Sequence, residues 1–395
     1  MVLPLNSMTI HKHLIQFLAM KRLFYLFATV FVVLFLSSRL LTAGPLLMHG
    51  KAVPMPTNLQ GPFVLLPDGE ILTVKGVSVH RSKDKGKTWT SKKILDDKFI
   101  NGYEGAIVRT PEGTIVFAFH NTNEMSYGKD GKGKWGEGNI EDWVLPVYVI
   151  RSPDDGRTWS EPIFIQKSWN GAVRSMIRLK SGRILLVGQS VIPWSHTTLT
   201  YASDNGGQTW KASNELTIGE KVSHDHDGAM EATIMQRNDD SVYMLIRTTT
   251  GVLHESVSTD DGTTWSEPQP TTVKNSHSCA SMARLADGRA ILIWNATPIG
   301  KDIFGSREEL SVAFSDDDAK TWSEPVIVAA RYVKEGDPWT INQVSYPLFF
   351  EIEPGVYWIT SGFGSLRMQI TEKDIRESLP NPTGEKPPAH LKLAD

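Results

Sequence analysis

Cysteine is nearly absent from this chain: there is one, Cys279. A single thiol excludes an intrachain disulfide and any cysteine-rich zinc or iron–sulfur site. An excess of charge is missing too. Lys and Arg number 41 against 44 Asp and Glu, a formal net charge of −3. A dedicated nucleic-acid binder carries a basic excess, so nucleic acid is not expected as a partner. No glycine-rich loop joins a strand to a helix, so the sequence shows no nucleotide site, and nothing in it calls for a flavin, a haem or another cofactor. Helical periodicity is scarce. With 40% hydrophobic and 22% charged residues, the 395-residue chain matches globular averages, which excludes wholesale disorder. What the chain does have is tryptophan, and five of its 12 fall on one repeating pattern.

The long apolar runs are confined to one place. Residues 23–36 form an uninterrupted stretch of fourteen, preceded by Lys21 and Arg22 and followed by Ser37, Ser38 and Thr42-Ala43-Gly44. A basic start, a short apolar core and small residues downstream describe an export signal. The run falls short of the roughly 20 residues that cross a bilayer comfortably, although counting on through Leu41 nearly reaches that length. Residues 1–44 are therefore expected to be a signal peptide or an N-terminal membrane anchor. The mature protein is expected outside the cytoplasm, secreted or periplasmic. A domain of this size tolerates the lack of disulfides there.

The repeating pattern has the form Ser-x-Asp-x-Gly-x-Thr-Trp. It occurs at Ser82–Trp89, Ser152–Trp159, Ser203–Trp210, Ser258–Trp265 and Ser315–Trp322, with Asn205 at the Asp position of the third and Ala319 at the Gly position of the fifth. Successive tryptophans lie about 50 to 70 residues apart, the period of a repeat architecture. The chemistry is that of a hairpin turn. The carboxylate accepts backbone N–H bonds, the glycine supplies positive φ, and Thr-Trp opens the next strand with the indole packed beneath the turn. The twelve-residue spacing and closing Glu of an EF-hand calcium loop are missing.

A second pattern interleaves with the first. A tight turn followed by a short apolar strand recurs at 67–74, 111–119, 180–188, 238–246, 286–294 and 353–360. These runs are rich in β-branched and aromatic residues and too short for ordinary helices. Six such units predict an all-β fold, a six-bladed β-propeller over residues 45–376, closed by pairing its first and last strands. A sandwich or β-helix is the alternative. The sixth unit has no box. Residues 377–395, polar and proline-rich, read as a flexible tail. Residues 120–143 form a long Gly/Lys-rich connection of the kind that is usually functional or disordered.

These repeats resemble the Asp-box (BNR-repeat) sialidase superfamily over roughly residues 60–376. In the C-terminal half, Met230-Glu231-Ala232-Thr233-Ile234, with a strand ending in Arg247, resembles the family's Glu ahead of a strand that ends in Arg. Arg307 resembles the Arg placed before the following box, and Tyr346 in Ser345-Tyr346-Pro347 resembles the late Tyr before the closing strand. The resemblance implies a retaining glycosidase with a tyrosine nucleophile. A sialic acid carries a carboxylate on its anomeric carbon, so a neutral phenol approaches where a carboxylate would meet like charge. A phenol is a weak nucleophile alone, and Glu231 is the candidate base for Tyr346. Arg247 and Arg307 are the candidate clamps for the substrate carboxylate, with Arg174 a further basic group from another blade. Asp130 and Glu124, in the long connection, are the candidates for the acid/base.

The family places another Arg ahead of Ile-Pro early in the first full blade; the expectation is that this slot holds Gly102-Tyr103-Glu104, with no Arg. Arg109 follows and is expected to face away. The run His224-Asp225-His226-Asp227 admits a metal, a substrate-contacting His226 or a solvated loop; no metal is assigned. His120 and His277 are open to the same readings, and Cys279 reads as buried and inert. The expected function is an exported, sialidase-like exo-glycosidase acting on a glycan or glycoconjugate with an anionic, sialic-acid-like sugar. Two alternatives stand beside it. One is a polysaccharide-processing enzyme of other specificity, a lyase or non-sialic glycosidase using His226 or Tyr103 with Glu104. The other is a non-catalytic glycan-binding propeller.

Overall fold

The computed structural model describes residues 44–394 except 129–130, 132, 134–141, 172, 193–194, 220–226, 298–306, 333–342 and 379–385, and at Tyr103, Glu104 and Ile192 the backbone alone. The signal or anchor expected over residues 1–44 thus lies almost wholly outside the described residues. Among the described residues no helix is long and apolar enough to cross a membrane.

The six apolar runs become the second strands of six antiparallel sheets. Blade 1 takes residues 63–93, blade 2 residues 101–168, blade 3 residues 176–212, blade 4 residues 230–274, blade 5 residues 281–330 and blade 6 residues 345–371. In blades 1 to 4 the strands follow chain order from the first, at the hub, outward; blades 5 and 6 do the same until their outer edges, which are completed by strands from the ends of the domain. Both faces of a blade are covered by neighbours, which is why the second strands read as continuous rather than alternating apolar runs. Ile115–Asn121 and Val242–Arg247 are buried at every residue.

Six clusters of the core lie at the blade junctions, one at each, and a seventh gathers Trp143, Leu145 and Trp169 in blade 2 and the residue that follows it. Ile115 and Phe117 of blade 2 pack on Leu72 and Val79 of blade 1, and Tyr357 and Ile359 of blade 6 pack on Ile291 and Ile293 of blade 5. The sixth junction, where Trp358 and Ile352 of blade 6 meet Phe63 and Ile71 of blade 1, closes the ring. Closure is also made by hydrogen bonding. Val53–Pro54, from the start of the domain, pairs with Arg367–Thr371 as the outermost strand of blade 6. The boxes sit at the turn between third and fourth strands, so the missing sixth box has a physical cause: the outer strand of blade 6 arrives from elsewhere and no hairpin precedes it.

The expectation of a flexible tail over 377–395 is corrected at its far end. Leu391–Leu393 pairs with Leu47–His49, which in turn pairs with Val326–Ala330, extending blade 5 by two strands. The His390 ring bonds the Ile327 carbonyl at 2.7 Å. The apolar Leu391 side chain, buried in this seam, is the short signal that the polar composition of the tail obscured.

In four boxes the glycine does more than supply positive φ. A Cβ at Gly86, Gly156, Gly207 or Gly262 would lie 2.4 to 3.0 Å from Trp358, Leu72, Val116 or Leu185, each in the second strand of the preceding blade. The box turn is seated directly on its neighbour, and only a residue without a side chain fits. Ala319 breaks the pattern at φ 60° with its methyl buried beside Met235 and Tyr243.

Candidate active site

In an antiparallel meander the first strands start on the rim where the second strands end and the third strands start. Glu231 and Tyr346 are the second residues of the innermost strands Met230–Gln236 and Ser345–Glu353. Arg247 ends the second strand of blade 4, and Arg307 lies two residues ahead of Glu309–Ser315, the third strand of blade 5. Arg174 lies two residues ahead of Met176–Arg178, the innermost strand of blade 3. All five therefore belong to one rim, and the box turns occupy the other.

The cluster is continuous. The Tyr346 hydroxyl donates to Glu231 Oε1 at 2.8 Å. Arg247 Nη1 donates to the Tyr346 oxygen at 2.8 Å and ion-pairs with Glu231 Oε2. The Arg174 and Arg307 guanidinium carbons lie 4.9 and 5.6 Å from the centre of the Tyr346 ring, within cation–π range. Arg174 also donates to the carbonyl of Pro347, the residue after Tyr346, at 2.8 Å. Two further residues complete the frame: Gln189, which the sequence does not single out, and His277, whose role it leaves open. The Gln189 side chain accepts from the Glu231 amide at 3.2 Å. His277, fully buried, touches Arg247 through its ring and Arg307 through its carbonyl, at 3.2 and 2.6 Å.

Local backbone explains how the groups point inward. Glu231 and Tyr346 adopt left-handed φ values of 42° and 61°, sparsely populated for residues with side chains. The pairing register slips between Met230 and Thr233, so Glu231 bulges from its ladder. Just ahead, Gly228 lets the chain lie against blade 3: a Cβ there would fall 2.3 Å from the His196 carbonyl oxygen.

Charge is balanced inside the cluster. Burial raises the Glu231 carboxyl, but the guanidiniums of Arg247 and Arg174 and the Tyr346 hydroxyl outweigh it and hold the group below the usual carboxylate range, hence ionised. Burial pushes the Tyr346 phenol well above its ordinary value, with Arg247 pulling the other way. Burial and the neighbouring Arg247 lower Arg307 from the usual guanidinium value.

Other candidates fall elsewhere. Asp130 and His226 lie outside the described residues. Glu124 is exposed and tied to its own blade, where it accepts from Asn121 at 2.5 Å and Tyr148 at 2.9 Å, so the structure does not bring it to the cluster. Arg109 pairs with Asp155 at 2.7 Å, on the box side. The slot assigned to residues 102–104 is corrected. Tyr103 and Glu104 lie on the innermost strand of blade 2, not blade 1. The innermost strand of blade 1, Phe63–Leu65, is preceded by Gln60-Gly61-Pro62. The Gln60 amide nitrogen would be 3.6 Å from a Cβ at Gly362, a position that also abuts Tyr346. A cleft of about 530 Å³ lined by Gln60, Lys75, His80, Asn101 and Arg174 opens beside the cluster. The larger cavity, about 660 Å³, is the hub channel and touches the cluster only at Arg174. His120 is buried within blade 2 and Cys279 is fully buried two residues from His277. Among the described residues no three His, Cys, Asp or Glu side chains gather as metal ligands do.

Known proteins agree with this architecture. The chain is similar to the Hadza microbial sialidase Hz136 (20% identity, TM-score 0.56, covering 79% of this chain and 65% of that one, just under two thirds of its length). It is similar to the NanB sialidase of Streptococcus pneumoniae (14% identity, TM-score 0.57, 82% and 71% covered). A protein of unknown function from Dyadobacter fermentans DSM 18053 is equally similar (19% identity, TM-score 0.55, 82% and 97% covered). At these identities the likeness shows the fold. Among functionally curated proteins the chain has no match. The sequence profile of the BNR repeat-like domain covers residues 73–359, well over half the chain, and with the six blades and their five boxes it makes this chain a member of the BNR repeat-like domain family, within the Asp-box sialidase-like superfamily.

Proposed function

We propose that this protein is a glycosidase that cleaves a glycoside bearing an anionic sugar, with Tyr346 as nucleophile and Glu231 as its base. The observation that carries this reading is the buried Tyr346–Glu231 hydrogen bond of 2.8 Å, bridged by Arg247 and flanked by Arg174 and Arg307. A buried pair of this kind beside three guanidiniums has no structural need for so much charge, and a binding module needs no phenol joined to a carboxylate. The sugar carboxylate binds among the arginines. Its negative charge competes with Glu231 for the guanidiniums, so binding makes Glu231 a stronger base when it is needed. The Tyr346 oxygen attacks the anomeric carbon, its proton passes to Glu231, and the bond to the aglycone oxygen breaks, that oxygen taking a proton from an acid or from water. Water then attacks the anomeric carbon and gives up a proton to the conjugate base left by that acid or to bulk water, the Tyr346–sugar bond breaks, and Glu231 returns its proton to the phenolate.

A second reading rests on Gln60. It stands ahead of Pro62 where the sialidase resemblance implies Arg, so one clamp of the family's set is replaced by a neutral amide. This favours an anionic sugar other than sialic acid, such as a uronate, and a polysaccharide-processing enzyme. Assaying the purified protein on a fluorogenic sialoside and on uronate-containing polysaccharides separates the two. Fluorophore release supports the first; release of a uronate sugar supports the second; the ultraviolet absorbance of an unsaturated product identifies a lyase and overturns the nucleophile.

A further inference from the structure

Among the described residues, ten with side chains have left-handed φ, and seven of them lie in connections between successive strands of one blade. The three others are Glu231, His277 and Tyr346, with φ of 42°, 55° and 61°. All three are buried, all lie at or ahead of an innermost strand, and all meet at one side chain, Arg247. Its Nη1 is shared by Glu231 and the Tyr346 oxygen, and its Nη2 faces His277 Nε2 at 3.2 Å. A guanidinium only donates, so Nε2 is the acceptor and the imidazole proton belongs on Nδ1. The His277 carbonyl accepts from Arg307 at 2.6 Å.

The His277 backbone is itself held. Asn275 donates to the Ser278 carbonyl at 2.8 Å and accepts from the Ser278 amide at 3.1 Å. The Ser276 amide donates to the Asn295 carbonyl, and Asn295 donates in turn to the Val344 carbonyl at 2.9 Å, just ahead of Tyr346. We infer that His277 is a positioning residue that fixes both arginines, Arg247 through its ring and Arg307 through its carbonyl, and thereby sets the geometry of the Tyr346–Glu231 pair. It is fully buried, so it acts through the arginines and not on the substrate. The role rests on the glycosidase reading for its catalytic meaning, and on geometry alone for the pinning of Arg247. The guanidinium is a rigid planar fork. With Nη2 anchored, Nη1 is held where it meets phenol and carboxylate together; without the anchor the plane is free to turn.

Any side chain at 277 keeps the carbonyl, so the ring and carbonyl contacts can be separated. His277→Ala should lower kcat about tenfold to a hundredfold while KM for an anionic glycoside changes about twofold or less, because Arg307 keeps its partner. His277→Gln, whose amide oxygen offers an acceptor to Nη2, should restore most of kcat. Equal losses in kcat and KM, no loss at all, or Gln no better than Ala would each overturn the inference. If His277→Ala does not fold, His277→Asn takes its place: asparagine tolerates left-handed backbone and is too short to reach Arg247. Nitrogen-15 NMR of the arginine guanidiniums provides an arm independent of turnover. Resolved Arg247 Nη signals in the native protein that merge in the variant support the inference, and unchanged signals reject it. A native protein inactive on every glycoside tested sinks the glycosidase reading, while the NMR comparison still decides the role of His277.

Discussion

On the box rim each turn satisfies itself; on the opposite rim the charged groups depend on residues from other blades. In the box of blade 2, Ser152 accepts from the Gly156 amide and donates to Asp154, whose carboxylate accepts from the amide and hydroxyl of Thr158. Every partner lies within four residues, and the same bonds recur in blades 1, 4 and 5. Across the molecule, Glu231, Arg247 and Tyr346 are bonded over sequence separations of up to 115 residues. Glu231 and Tyr346 stand in left-handed backbone, and the three groups concentrate charge in a desolvated place. Strain and buried charge are tolerated at that rim because six interblade clusters hold the strands that carry it.

The contrast makes distinct predictions for the two rims. The largest effect belongs to the cluster: Tyr346→Phe and Glu231→Gln should each lower kcat by about 10²–10⁴-fold or more, with Tm moving only a few degrees. Full turnover by either variant, measured on the substrate the native protein cleaves, would remove the nucleophile pair. Next, Arg247→Met should destabilise the fold by about 3–5 kcal/mol, because it strands the buried Glu231 carboxylate. Urea unfolding checks this, and a loss under about 1 kcal/mol would mean that the ion pair is not buried as described. On the box rim, Gly262→Ala drives a methyl into Leu185 and should cost about 1–3 kcal/mol while kcat/KM stays unchanged. A parallel fall in activity would show that the two rims are coupled.

The smallest effect is set by pH. Hydrogen bonds from Thr88 and Ser82 hold Asp84 down to about 2, and those from Thr321 and Ser315 do the same for Asp317. Asp154, against the cost of its slight burial, is held at about 2 by Thr158 and Ser152. Folded values lie below the unfolded value of about 3.9, so this stabilisation is fully present above about pH 4 and is lost as pH falls towards 2. Asp154→Asn should make the fall of thermal stability over that window shallower than in the native protein, with Asp84 and Asp317 supplying the remaining slope; an unchanged slope would take the box of blade 2 out of the acid transition.

The boxes and apolar runs were legible because their physics is local. A turn needs its Ser, Asp, Gly and Thr within eight residues, and a strand needs only its own apolar side chains. The same locality explains the errors. The expected arginine slot falls one blade late because Phe63–Leu65 is too short to announce an innermost strand, and Leu391–Leu393 is hidden in a polar tail. Glu231, Arg247, Arg307 and Tyr346 were visible only through a family resemblance. Gln189 offered no signal, and His277 was one of several histidines whose role the sequence left open: a buried histidine that holds a guanidinium has the same sequence surroundings as one that fills a core.

The chain by itself therefore determined the number of blades and the chemistry of their turns. Those properties follow from neighbours a few residues apart. Closing the wheel decided the rest: which arginines face one phenol, that Arg174 joins them from blade 3, and that Gln60 stands at the rim. Such contacts span blades, and only the curvature that brings the sixth blade back to the first sets their distances.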